Sequence, residues 1–411
     1  MRTRIRGYHP SIITIGFADF IRGFTRYPLW ILVSIYLLSA RHFNYIDIGL
    51  VFLAQSIFTV PFSIYGGRIS DIRGRRELAI IMPAILSISY MLFFLVIYFN
   101  LSLVIITVMM VDISILSTVQ YNINNSILTD LSSETQRLNS FSLVRVLSNA
   151  GIGVGLMFSG LISILNPAYF FLAPVFGSIV EVVIYYKYVP ESLPVQKDKT
   201  ARTVMKFSFS KDRLLIVVSL VMAFSSLMAG MFESPITPLY LTSRFSYSEF
   251  QITILYAVNT LVVILFQFKI NRLSRRIGEI PTYSLGLVLY AAAYLIFGVV
   301  GIFPILIMIV TMLTFGENMT SQFSQVFISR IAPENRRGEY FGYSSAVFSF
   351  IYPFTPLVGT LILQSFNFSP LLVWGTISGL CLMMAMISLS LRKMIPDLRN
   401  SNSYKYSEKE D

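Results

Sequence analysis

The chain has 411 residues, 55% of them hydrophobic and only 13% charged, with a mean hydropathy of +0.68. A soluble domain carries about 25% charged residues, so this composition excludes an ordinary soluble fold and describes a chain that crosses a membrane many times. The net charge of +11 would suit a nucleic-acid binder, but its distribution along the chain argues against that class.

At about 20 apolar residues per span, the length accommodates roughly a dozen spans. Twelve are predicted in chain order: 11–39, 47–68, 77–99, 102–129, 138–164, 167–189, 213–242, 249–270, 281–303, 304–329, 338–366 and 369–391. The tightest junction is Phe303-Pro304, where two spans abut with almost no loop. The alternation of a membrane β-barrel is absent. The expected fold class is an all-α membrane protein with twelve transmembrane helices in two six-helix halves. The expected division is 1–189, a linker at 190–212, 213–392, and a tail at 393–411.

Of the 32 Lys and Arg residues, 27 fall in segments that this topology places on one side. These are the N-terminus, every second loop with its flanks, the 190–212 linker and the tail. Arg41 and Arg244 fall on the other side, and Arg22, Arg26 and Arg145 lie inside spans. This is the positive-inside pattern, so both termini and the linker are expected in the cytoplasm. Met1–Gly7 is basic, but the apolar segment after it is too long for a cleavable signal peptide. The single Cys381 excludes an intrachain disulfide and a multi-Cys metal site. His9 and His42 sit near the ends of the first span and read as interfacial side chains, so no metal site is expected.

The chain repeats itself weakly. Leu131-Ser132-Ser133-Glu134-Thr135-Gln136-Arg137 returns 200 residues later as Ile331-Ala332-Pro333-Glu334-Asn335-Arg336-Arg337, and Phe141 matches Phe341 at the same offset. At an offset of 204, Tyr36-Leu37 and Ser39 match Tyr240-Leu241 and Ser243, and Gly74 matches Gly278. Two parallel six-span halves are a known transporter architecture.

The loop after the second span reads Gly67-Arg68-Ile69-Ser70-Asp71-Ile72-Arg73-Gly74-Arg75-Arg76. With the two repeated loops, Val189-Pro190-Glu191-Ser192 after span 6 and Gly338-Glu339-Tyr340-Phe341-Gly342 at the start of span 11, it resembles the major facilitator superfamily of secondary transporters, over nearly the whole chain. The span 11 opening resembles drug-exporter-like members. The sequence departs from the family pattern at Ile72, where a basic residue is usual, and at Asp112, where an Arg is usual early in span 4. The Gly-Pro signature of antiporters in span 5 lacks its Pro, although Gly151, Gly153, Gly155 and Gly160 remain.

The resemblance implies a conformational gate at Gly67, Asp71, Gly74, Arg75 and Arg76, with Asp71 facing the start of span 11, around Gly338, in one state only. Arg73, Arg75 and Arg76 also read simply as topology anchors. The four glycines of span 5 read either as static packing or as a bendable interface.

Charged side chains inside a membrane are expensive and mark functional sites. Asp19, Asp112, Glu233 and Glu317 fall in spans 1, 4, 7 and 10, which line the central cavity in this superfamily by resemblance. Glu181 falls in span 6, where it reads as a packing residue reaching the interface. Depth along the helices suggests that Asp19 pairs with Arg145 and Arg26 with Asp112, with Arg22 one turn from Asp19. These residues and Gln322, with other polar side chains such as Gln120 and Asn124, make the candidate proton-coupling and substrate cavity. A carboxylate held between desolvation and a neighbouring Arg is able to load and release a proton. The alternative is that these are ion pairs that fix helix packing.

No nucleotide-binding loop and no catalytic constellation is found, so no enzyme activity and no cofactor are expected, and the energy source is a proton or ion gradient. The expected function is proton-coupled export of small amphipathic or cationic compounds by alternating access. The alternatives are uptake of a sugar, organic acid or other metabolite, and a non-transporting sensor on the same fold. The expected partners are a small-molecule substrate and the lipid bilayer, without nucleic acid, with the chain acting as a monomer in the plasma membrane.

Overall fold

The computed structural model describes residues 10–132, 137–165, 170–192, 213–320, 327–328, 331 and 337–394. Among the described residues there are fourteen α-helices. They are α1 (Pro10–Ser39), α2 (Tyr45–Arg73), α3 (Arg75–Tyr98), α4 (Leu103–Leu131), α5 (Arg137–Leu165), α6 (Ala173–Tyr188) and α7 (Arg213–Ala229). There follow α8 (Ile236–Phe245), α9 (Glu249–Ile277), α10 (Glu279–Val299), α11 (Phe303–Thr320), α12 (Arg337–Ile351), α13 (Thr355–Ser365) and α14 (Pro370–Met394).

These helices account for the twelve expected spans, with two corrections. Span 7 was expected to be continuous over 213–242 but breaks between α7 and α8, at Gly230 to Pro235. Span 11 is interrupted by a 3-10 turn at Tyr352–Phe354, between α12 and α13. Pro235, Pro353 and Pro356 supply the physical reason, since proline removes a helical N–H and clashes with the preceding turn.

Among the described residues, eight helical stretches are long and apolar enough to cross a membrane. The 24 residues of α3 rise about 36 Å at 1.5 Å each, enough for a hydrocarbon core of about 30 Å. Large apolar side chains lie on the outside, such as Val104, Met308 and Phe350. In a bilayer, lipid takes the place of water around such side chains.

The chain divides into two compact units. One comprises Met1–Thr203 with Leu241–Leu261, the other Val204–Tyr240 with Val262–Asp411. In the first unit α1 packs most extensively against α5. The glycines explain how closely. A Cβ at Gly151 would run into the carbonyl of Phe20, one at Gly155 into that of Phe24, and one at Gly23 into that of Ser148. Small residues let helix backbones approach where no hydrophobic force separates helix from lipid. In the second unit α10 packs on α14 and α11.

The weak sequence repeat has a structural counterpart. Gly74 joins α2 to α3 with φ 97°, and Gly278 joins α9 to α10 with φ 93°. Only glycine takes that conformation without strain. The Tyr36 hydroxyl donates to the Ile97 carbonyl at the end of α3, and the Tyr240 hydroxyl donates to Gly298 at the end of α10. The rings of Tyr36, Phe93 and Phe171 cluster as those of Tyr240, Phe297 and Trp374 do.

Candidate functional site

In the first unit, α1, α4 and α6 bring the intramembrane charges together. Arg22 donates to Asp19, one turn earlier on α1, and to Glu181 at 3.2 Å. Arg26 donates to Gln120 at 2.9 Å and Ser178 at 3.0 Å, and its Nη2 lies 2.8 Å from Glu181 Oε1. Gln120 donates to Glu181 Oε2 at 2.6 Å. Asn124, with its amide oxygen turned toward Arg22, and the Tyr185 hydroxyl close the cluster. The Tyr90 ring lies 5.6 Å from the Arg26 guanidinium.

Two carboxylates thus face two guanidiniums. Glu181 is fully buried and shared by both Arg residues, whereas Asp19 keeps 14% of its side chain exposed and Arg22 18%. This corrects two expected pairings and one expected role. Asp19 pairs with Arg22, not with Arg145, whose side chain is exposed. Arg26 meets Glu181, not Asp112; Asp112 is half-buried and makes no ion pair among the described residues. Glu181 does not reach an interface; it is the hub of the cluster. Depth along a helix says nothing about which way a side chain faces, and the pairing is set by helix rotation.

In the second unit, Glu233 and Glu317 line one cavity of about 280 Å³. Glu233 sits in the span 7 break, its side chain exposed while its neighbours Phe232 and Ser234 are buried. Glu317 projects from α11 and is half-buried. Tyr283, Tyr290, Tyr352, Phe232 and Phe348 supply aromatic wall, and Ser225, Ser226 and Thr320 supply hydroxyls. The described lining holds two carboxylates and no Lys or Arg. Its aromatic faces suit a cation. Gln322, the remaining candidate here, lies outside the described residues.

At the predicted gate, Gly67 and Asp71 fall in the last turns of α2, and the side chain of Asp71 lies outside what is described. The neighbouring residues are tied into the first unit. The Glu191 carboxylate accepts the backbone N–H groups of Arg75 at 3.1 Å and Arg76 at 3.2 Å, beside Gly74. Gly74 has no side chain to cap α3, so Glu191 takes that place, where the helix dipole also favours an anion. Arg75 is buried, pairs with Asp130 and donates to the Ser126 carbonyl at 2.9 Å. Arg76 donates to the carbonyls of Val189 and Tyr186. Glu191 and Asp130 were not among the expected site residues. The Val189–Ser192 motif was the available signal for Glu191, and nothing in the sequence singled out Asp130.

A family model described as Major Facilitator Superfamily matches residues 15–232 and again 218–405. The chain belongs to the Major Facilitator Superfamily. It is 24% identical over 379 residues to an uncharacterized MFS-type transporter, YqjV, of Bacillus subtilis (strain 168), covering 88% of this chain and 89% of that one. Among solved structures it resembles a mutant of the nucleoside transporter NupG, with a TM-score of 0.75 at 14% identity, covering 94% of this chain and 99% of that one. It also resembles a D-xylose-proton symporter, with a TM-score of 0.72 at 14% identity, covering 92% and 96%. At such identities the structural likeness establishes the fold alone. The superfamily membership makes this chain a multi-pass membrane transporter.

Proposed function

We propose that this superfamily member is a secondary active transporter that exchanges protons at Glu233 and Glu317 and exports small amphipathic or cationic compounds by alternating access. The observation that carries the reading is the pair of carboxylates on one aromatic-walled cavity whose described lining has no basic side chain. Protons and a cationic substrate are the positive species that two carboxylates and aromatic faces would take in turn. When each displaces the other, a proton moving inward drives a cation outward. The first-unit cluster, by contrast, carries its own counter-charges, Arg22 and Arg26 against Asp19 and Glu181. It supports a structural role there and gives an anionic substrate no unmatched Arg in that cluster. The proposed setting is the plasma membrane, and the distribution of basic residues favours cytoplasmic termini.

The test begins with thermal-shift screening of purified protein against amphipathic cations, ethidium among them, and against neutral sugars and nucleosides. Proteoliposome flux of the best binder, with and without a proton gradient, follows. Gradient-stimulated export of a cation supports the proposal. Gradient-driven uptake of a neutral or anionic metabolite refutes export and establishes the rival reading. Binding of one of them with no flux in either direction, with a gradient imposed, counts against both readings and for a sensor.

A further inference from the structure

Span 7 is interrupted at the place where it carries Glu233, and two devices manage the backbone there. Pro235 removes a helical N–H; the Met231 carbonyl is taken up instead by the Ser234 hydroxyl at 3.0 Å and the Thr237 hydroxyl at 3.2 Å. The second device is upstream. In a continuous helix the Phe232 N–H would donate to the Met228 carbonyl. Here it donates to the Tyr294 hydroxyl at 3.1 Å. That hydroxyl lies 3.2 Å from the Met228 carbonyl and 3.1 Å from the Ala229 carbonyl, where its single proton is donated. A side chain inserted into the helical ladder is an established cause of a kink.

We infer that Tyr294 is a positioning residue for Glu233: its hydroxyl, threaded into the span 7 ladder, holds the break open and sets the adjoining carboxylate on the cavity wall. The inference rests on the proposed role of Glu233. Tyr294 is fully buried. Its ring is held between Tyr290 and Trp374, with centroids at 5.8 and 5.6 Å, so the hydroxyl is placed in advance. Glu233 follows Phe232 directly, so the orientation of the Phe232 peptide sets the course of the backbone that carries the carboxylate. Without the hydroxyl, the Phe232 N–H loses this acceptor and the ladder is no longer held apart at this point, which moves Glu233.

The experiment compares wild type, Tyr294→Phe and Tyr240→Phe as purified full-length protein. Tyr240 is an equally buried control whose hydroxyl donates to Gly298, away from the break. Residue-level amide hydrogen exchange reads the Phe232 N–H, and labelling by dicyclohexylcarbodiimide reads the accessibility of Glu233. In wild type the Phe232 amide is protected despite lying in a turn. In Tyr294→Phe that protection falls about tenfold, as expected for one lost hydrogen bond, and labelling of Glu233 changes severalfold. Tyr240→Phe alters neither. Equal effects in both variants, or none in Tyr294→Phe, overturn the inference. A wild-type Phe232 amide that exchanges as fast as free peptide overturns it without any variant, so failure of Tyr294→Phe to fold does not protect it. None of these readouts needs flux, so a proton-exchange role for Glu233 stands or falls separately.

Discussion

The ring of Tyr90 lies against the Arg26 guanidinium, whereas the hydroxyl of Tyr294, 204 residues on, fills the break in span 7. The two tyrosines occupy matching positions in α3 and α10. Each half thus places an aromatic at the same depth behind the first helix of its own repeat. What it meets there differs. In the first unit it meets a balanced ion cluster; in the second, a broken helix that presents a carboxylate to a cavity. The repeat sets the scaffold, and single substitutions within it divide the chemistry between the halves.

The ion cluster makes a prediction about stability. Glu181→Ala removes the carboxylate shared by Arg22 and Arg26; Arg22 keeps Asp19, and the buried Arg26 loses its ion-pair partner in the cluster. Breaking a buried pair in this way costs about 3–5 kcal/mol. Thermal unfolding in detergent is expected to show a large loss for Glu181→Ala and none for Arg145→Ala, whose side chain is exposed. A Glu181→Ala protein as stable as wild type would remove the hub assignment.

The α1–α5 crossing makes another. Gly151→Ala forces a methyl group into the Phe20 carbonyl, while Gly379→Ala points into open space. Overpacking typically costs about 1–3 kcal/mol, and here the obstacle is backbone, which yields little. Gly151→Ala is expected to unfold at lower temperature and Gly379→Ala is expected to match wild type. Equal melting curves would show that the helices separate freely and that the glycines serve bending instead.

At the loop after span 2, Glu191→Ala removes the acceptor that caps α3 at Arg75 and Arg76. Loss of a helix cap costs about 0.5–2 kcal/mol. Amide exchange in the first turn of α3 is expected to accelerate while the α4 and α5 amides stay unchanged. Unaltered exchange at Arg75 and Arg76 would mean that Glu191 does not hold the helix end.

The helix limits were largely legible in the sequence because each span is a long apolar run closed by charge or by Gly and Pro. The break in span 7 was also written there, in Gly230 and Pro235, but apolar residues on both sides hid it. The charge cluster was legible only as an inventory. Asp19, Arg22, Arg26 and Glu181 were each visible as costly intramembrane charges, yet their pairing depends on helix rotation, which one sequence does not encode in any local pattern. Arg145, expected at the depth of Asp19, is exposed and not part of the cluster. Glu233 and Glu317 were visible as acids in spans 7 and 10. Their meeting on one cavity is a tertiary fact.

The central claim is that Glu233 and Glu317 exchange the proton that drives transport. Its most direct test is flux of the cation selected by thermal shift, in proteoliposomes with and without an imposed pH gradient. Wild type is compared with the Glu233→Gln, Glu317→Gln double variant. The account predicts that wild type accelerates when the gradient is imposed. The double variant should fold with an unchanged melting temperature and no longer respond to the gradient. Full gradient-driven transport by the double variant would contradict it.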